Sequence, residues 1–111
     1  PDAEIGEIDK KSYTKWLNYD KIECGLQIRT RTAGDYLTVD DKGHTKKLKE
    51  YFINEKVPKE MRDTMLLLAD GSHVIWAVGQ RISADYKIDE NTKKILEVHF
   101  FGGNYHESKE Y

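Results

Sequence analysis

Between Arg29 and Arg62 the chain gathers side chains whose types and spacing suit the binding of phosphate groups. Arg29 and Arg31 flank Thr30; Lys46, Lys47 and Lys49 fall within four residues; Lys56, Lys59 and Arg62 follow. An arginine fork grips a phosphate through two parallel N–H donors, whereas lysine acts as a point charge. This stretch carries nine Lys/Arg against six Asp/Glu, a net of +3, while the segment before it carries −2 and the segment after it −3. The 111-residue chain as a whole has a formal net charge of −2. That sum argues against a generic nucleic-acid coat protein, and it confines any anion-binding surface to the middle third. The ordinary alternative for such cations is a solvated helix face.

Other chemistries find less support. His44, His73, His99 and His106 are scattered, without the spacing of metal ligands. Cys24, Ser72 and Ser83 lack a local nucleophile motif, and no phosphate-binding glycine loop is present. Asp40 and Asp41 are adjacent and suit a solvated turn better than an acid/base pair. Cys24 is the only cysteine, which excludes an intramolecular disulfide. It reads as a small core residue of a protein in a reducing compartment, the cytoplasm. No apolar run approaches the roughly 20 residues of a membrane span. The N-terminal Pro1-Asp2-Ala3-Glu4 has no signal-peptide character and reads as a cut in a longer chain.

The elements that must position the cations follow from periodicity. The length fits one domain, expected over residues 11–102, with a loose acidic segment at 1–10 and a polar tail at 103–111. Residues 11–25 are ambiguous between helix and strand. Leu26 to Thr32 alternates, which would place Arg29 and Arg31 on one strand face. Ala33-Gly34-Asp35 turns the chain, Tyr36 to Val39 forms a short strand, and Asp40 to Gly43 turns again. Thr45 to Glu55 reads as a helix capped by Thr45, with Leu48, Tyr51 and Phe52 on its apolar face. It must end before Pro58, which can open a short second helix over Lys59 to Asp63. Thr64 to Ala69, His73 to Val78, Arg81 to Ile88 and Lys94 to Phe101 read as strands, with Asp70-Gly71 as a hairpin turn. Trp76 belongs to the core. Close-spaced strands around central helices imply an α+β fold.

On this reading Lys46 and Lys47 occupy a first helical turn, where the macrodipole disfavours cations by about 0.3–1 kcal/mol. A local rule broken without local compensation marks a functional position, and free N–H groups at a helix start already favour a phosphate. The pattern suits contact with a phosphate backbone. Recognition of unstacked bases would call for exposed aromatics interleaved with the cations.

The same residues carry a family likeness. The run Arg29-Thr-Arg31-x-x-Gly34-Asp35, then Lys46-Lys47-Leu48-Lys49-x-x-Phe52-Ile53-x-x-Lys56-x-Pro58-x-x-x-Arg62-Asp63, then Ile75-Trp76-x-x-Gly79-x-Arg81 resembles the C-terminal domain of bacterial tRNA(Ile)-lysidine synthetase, over about Tyr19 to Phe100. The resemblance implies a layered α+β unit with a β-sandwich, similar to a domain of the phenylalanyl-tRNA synthetase β subunit. It implies a parent ligase that adenylates C2 of a wobble cytidine with ATP and lets lysine displace AMP. ATP and lysine would belong to an N-terminal catalytic domain with a Ser-Gly-Gly-x-Asp-Ser loop, which is not found in these residues, so this fragment would be non-catalytic and without a cofactor. The implied role here is to hold the acceptor stem of tRNA(Ile). Arg29, Arg31, Lys46, Lys47, Lys49, Lys56 and Arg62 are the implied tRNA contacts; Gly34 and Gly79 are turn glycines; Phe52, Pro58 and Trp76 are structural. Many family members have a basic residue after the Gly-Asp pair, where this chain has Tyr36. The competing expectation is a structural or protein-interaction module whose basic helix faces an acidic partner or another domain of the parent.

Overall fold

The structure is a computed structural model that describes residues 12–101. The expected loose ends, residues 1–10 and 103–111, lie outside the described residues. Seven strands and two short helices build three layers. A mixed five-stranded sheet has the order β2(Leu26–Arg29)-β5(Leu67–Asp70)-β6(His73–Ala77)-β3(Tyr36–Thr38)-β4(Thr45–Lys47). One face carries α1 (Leu48–Asn54) and the turn that follows it, which leads into α2 (Lys59–Arg62). The other face carries an antiparallel ribbon of β1 (Ser12–Asn18) and β7 (Ile95–Phe101), paired over all seven residues of each. The fold is α+β, as the spacing of the strands implied.

Each face of the central sheet has its own core. Leu37, Leu48, Tyr51, Phe52, Val57, Leu67, Val74 and Ala77 close under α1, while Leu17, Leu68, Ile75, Trp76 and Tyr86 close under the ribbon. Val74 to Ala77 are therefore buried on both sides, which is why β6 reads as a continuous apolar run. Leu48, Tyr51 and Phe52 form the helix face that their spacing predicts, and Trp76 is core with 1% exposure. In β7, Leu96, Val98 and Phe100 turn inward while Ile95 is exposed, as its place out of step requires. Asp70-Gly71 does close the β5–β6 hairpin, with Gly71 at φ +65°.

Four expectations are corrected. Thr45–Lys47 is strand: it pairs antiparallel with Tyr36–Thr38 across the Asp40–Gly43 turn, so α1 starts at Leu48 and Thr45 caps nothing. Two short strands joined by a tight turn outcompete one extra helical turn, because both strands gain a ladder. Lys46 and Lys47 are therefore outside the first helical turn, and the dipole argument for them falls.

Residues 81–88 are not a strand. Ile82 makes one bridge to Trp76, and Ala84–Tyr86 turn in a 3-10 helix that drives Tyr86 into the core. Thr64 and Met65 donate their N–H groups to Met61 O and prolong the α2 turn, so β5 begins only at Leu67. Cys24 is exposed rather than core: the chain passes there as a loop whose backbone is fastened by Asp70.

Asp70 is an organising carboxylate of the fold. It accepts the N–H groups of Glu23 (2.9 Å) and Cys24 (2.6 Å) and the Tyr86 hydroxyl (2.8 Å). Burial would push its carboxyl up, but these bonds outweigh burial and hold it below the ordinary carboxylate range. Its stabilisation is fully present above about pH 5 and is lost as the pH falls through the carboxylate range. Asp70→Asn should lower stability at neutral pH by about 1–3 kcal/mol. It should also flatten the acid limb of a urea-midpoint-versus-pH curve. An unchanged acid limb would contradict this account.

Candidate nucleic-acid interface

The seven expected cations divide into two kinds. The arginines are bonded to the fold, Arg29 and Arg62 within it and Arg31 at its surface. Arg29, the last residue of β2, donates Nη1 to Asp35 Oδ2 at 2.9 Å and Nη2 to Asp35 Oδ1 at 2.8 Å, and also reaches the Gly71 and Thr30 carbonyls. Asp35 has a side chain only 1% exposed, against 20% for Arg29. Burial would push the Asp35 carboxyl up, but the bonds from Arg29 and from the Thr32 N–H and hydroxyl together keep it below the usual range.

Because β2 ends at Arg29, Arg31 leaves the strand instead of sharing its face. It donates Nε to Asp63 at 2.8 Å and lies 5.8 Å from the Phe52 ring centroid, a cation–π distance. Arg62 donates Nε to the Val57 carbonyl at 2.8 Å and ties α2 to the end of α1.

The lysines point outward. Among the described residues no ion pair engages Lys46, Lys47, Lys49 or Lys56. Lys46 and Lys47 straddle the edge strand β4. Lys46 is the partner of Leu37 and lines a shallow groove with Tyr51, Asn54, Glu55 and Arg81 on the helix side. Lys47 is the partner of Tyr36 and projects from the opposite face. Lys47 is also the residue before α1, and the Leu48 N–H that follows it donates to the Asp35 carbonyl at 2.9 Å. The helix start is thus fastened to the Arg29–Asp35 frame.

Lys56 occupies a strained position. The end of α1 is a Schellman turn: the Lys56 N–H donates to Ile53 O at 3.1 Å and the Val57 N–H to Phe52 O at 2.9 Å. Lys56 has φ +58°, the one non-glycine with positive φ among the described residues. Glycine is the usual occupant there. A cation at a helix C-terminus gains a little from the dipole, but that does not require lysine at this residue.

Two features escaped sequence reasoning. Arg81, exposed and 3.9 Å from Glu55, stands beside Lys46 in the shallow groove; it lies in the likeness, but reading 81–88 as a strand hid its place. On the far face of the sheet Tyr36, Thr38, His73 and Tyr86 line a polar cleft. Burial pushes the His73 imidazole down, against the pull of Asp85, Asp70 and Glu23. The signal for the cleft was Tyr36 itself, an aromatic directly after the Gly34-Asp35 turn. Gly34 and Gly79 are turn glycines as expected, at φ +90° and +91°.

The fold and the site together define a layered α+β domain whose outward lysines stand on an arginine frame. Comparison with known proteins names the family. Residues 26–99 match the TilS substrate C-terminal domain, and the chain belongs to that family. It is 39% identical over 98 residues to the tRNA(Ile)-lysidine synthase of Caldanaerobacter subterraneus subsp. tengcongensis, covering 88% of this chain and 21% of that protein. It is 40% identical over 91 residues to the tRNA(Ile)-lysidine synthase of Clostridium acetobutylicum, covering 82% and 20%. A crystal structure of a TILS C-terminal domain superposes with a TM-score of 0.62 at 28% identity, covering 82% of this chain and 72% of that one. The chain thus spans about a fifth of the length of the curated relatives it matches.

If Lys56 is kept for its charge, Lys56→Gly should raise thermal stability by about 1 kcal/mol, since it relieves a left-handed non-glycine. It should also weaken RNA binding. A variant that is no more stable, or that binds RNA as well as the parent, would contradict this.

Proposed function

We propose that this domain is the tRNA-binding C-terminal part of a tRNA(Ile)-lysidine synthase and holds the acceptor stem of tRNA(Ile) by its phosphates. The modification itself, which uses ATP and lysine, takes place in a separate N-terminal catalytic domain of the same parent in the cytoplasm. The fragment contributes position rather than chemistry. Family membership supports the tRNA-modifying context. The observation that carries the reading is the set of lysines, Lys46, Lys47, Lys49 and Lys56, without ion-pair partners among the described residues, along the β4 edge and around α1. Lysines with no ion-pair partner among the described residues can displace counterions from a duplex, even in a chain of net charge −2.

Within that set the lysines, with the outer side of Arg31, are the proposed contacts, and Arg29 and Arg62 are proposed to position them. Seven-residue α1 is about 10 Å long, so Lys47 and Lys56 at its two ends can reach different phosphates of one strand. The isolated domain should bind weakly, because the avidity supplied by other domains is lost.

The test is charge reversal of Lys46 and Lys47 to Glu in the full-length synthase. Each lost phosphate contact should reduce the salt dependence of tRNA binding, and tRNA affinity should fall at least tenfold at physiological salt. If that variant binds and modifies tRNA like the parent enzyme, the reading is wrong.

A further inference from the structure

Behind β4, on the face of the sheet opposite α1, lies a polar cleft of about 460 Å³, a volume within the range of small-ligand sites. One wall is an aromatic stack. Tyr36 lies on His73 with ring centroids 4.6 Å apart and planes 22° apart, and Tyr86 meets His73 edge-on at 4.9 Å and 66°. Thr38 Oγ1 lies 2.9 Å from His73 Nε2 and pins the ring. Tyr86 and Thr38 are buried, while Tyr36 is only partly covered, so aromatic surface remains open at the mouth.

The groups around this stack discriminate between ligands. Lys47 is the cross-strand partner of Tyr36, and such partners project from one face about 5 Å apart at Cβ. A cation therefore stands beside the exposed ring. Buried Asp70 lines the cleft with Glu23, Lys21 and, at its exposed rim, Asp85, and among the described residues no ion pair engages Asp85. With three carboxylates against the single Lys21, the lining is net acidic and disfavours a bare phosphate. It accepts hydrogen bonds from an exocyclic amino group, as carboxylates do with cytosine. A phosphate outside and a neutral, amino-bearing base inside is the arrangement that satisfies both.

We propose that this cleft takes one unpaired nucleotide flanking the duplex, with its base against Tyr36, its phosphate on Lys47 and its amino group toward Asp85. This rests on the RNA-binding reading above and adds a second kind of contact to it.

The experiment uses the 111-residue chain and RNA hairpins with identical stems, one blunt and the others extended at the 3′ end by one adenosine or one uridine. Fluorescence anisotropy at low salt should show the adenosine-extended hairpin binding about tenfold more tightly than the blunt one, the effect expected of one stacked base. The uridine extension should gain less. Tyr36→Phe should keep the difference. Tyr36→Ala and Tyr36→Arg should abolish it, with circular dichroism confirming that each variant is folded and the blunt hairpin bound at least as well as before in Tyr36→Arg. Equal, salt-sensitive binding of all three hairpins by the parent chain would overturn the cleft proposal and leave the RNA-binding reading standing. Absence of binding to any hairpin at low salt would overturn both.

Discussion

The ion pair between Arg29 and Asp35 is the joint on which the rest of the molecule hangs. A carboxylate 1% exposed is costly to bury unless every acceptor site is filled. Here it receives both ends of the Arg29 fork together with the N–H and hydroxyl of Thr32. Arg29 also grips the Gly71 carbonyl at the β5–β6 hairpin, and the Asp35 carbonyl receives the first N–H of α1. One pair of charges thus fixes the end of β2, the turn into β3, the tip of the central hairpin and the start of the helix. No apolar contact could do the same, because each of these points presents polar backbone that must be satisfied.

This joint separates two tasks that a basic sequence motif leaves merged. Arginine is spent on the fold: Arg29 turns its planar fork onto buried Asp35, Arg62 bonds the Val57 carbonyl, and Arg31 pairs at the surface with exposed Asp63. Lysine is left outward, where a compact charge on a long stem can follow a phosphate. The result is a rigid frame under an adaptable charged edge, in a chain whose overall charge is negative. The shallow groove with Lys46 and Arg81 and the polar cleft beyond Tyr36 lie on opposite sides of the edge strand β4.

Much of this architecture was legible because local signals agreed with the fold. The apolar triplet Leu48, Tyr51 and Phe52 marked the helix face, Asp70-Gly71 marked the central hairpin, and the alternation of Leu96, Val98 and Phe100 marked the inner face of β7. The misreadings came where two periods competed over few residues. Three residues, Thr45–Lys47, satisfy a helical pattern as well as a strand, and only the partner strand decides between them. Ile82, Ala84, Tyr86 and Ile88 alternate perfectly, yet the chain bends after Ile82 because burying Tyr86 against Asp70 gains more than another ladder. The inward role of Arg29 was not readable from its neighbours in sequence. Spacing announces a cation, but only the fold shows that the cation already has a partner.

The central claim is that Arg29 positions while Lys47 touches, and the salt dependence of binding separates the two most directly. The logarithm of the affinity for a duplex RNA hairpin should be measured against the logarithm of salt concentration for the parent chain, Lys47→Ala and Arg29→Lys. Lys47→Ala should lower the magnitude of the slope by about one, as the loss of one phosphate contact does. Arg29→Lys should destabilise the fold by about 3 kcal/mol, because a buried carboxylate loses its fork. It should weaken binding while leaving the slope of the folded fraction unchanged. A slope reduced in Arg29→Lys and preserved in Lys47→Ala would contradict the account.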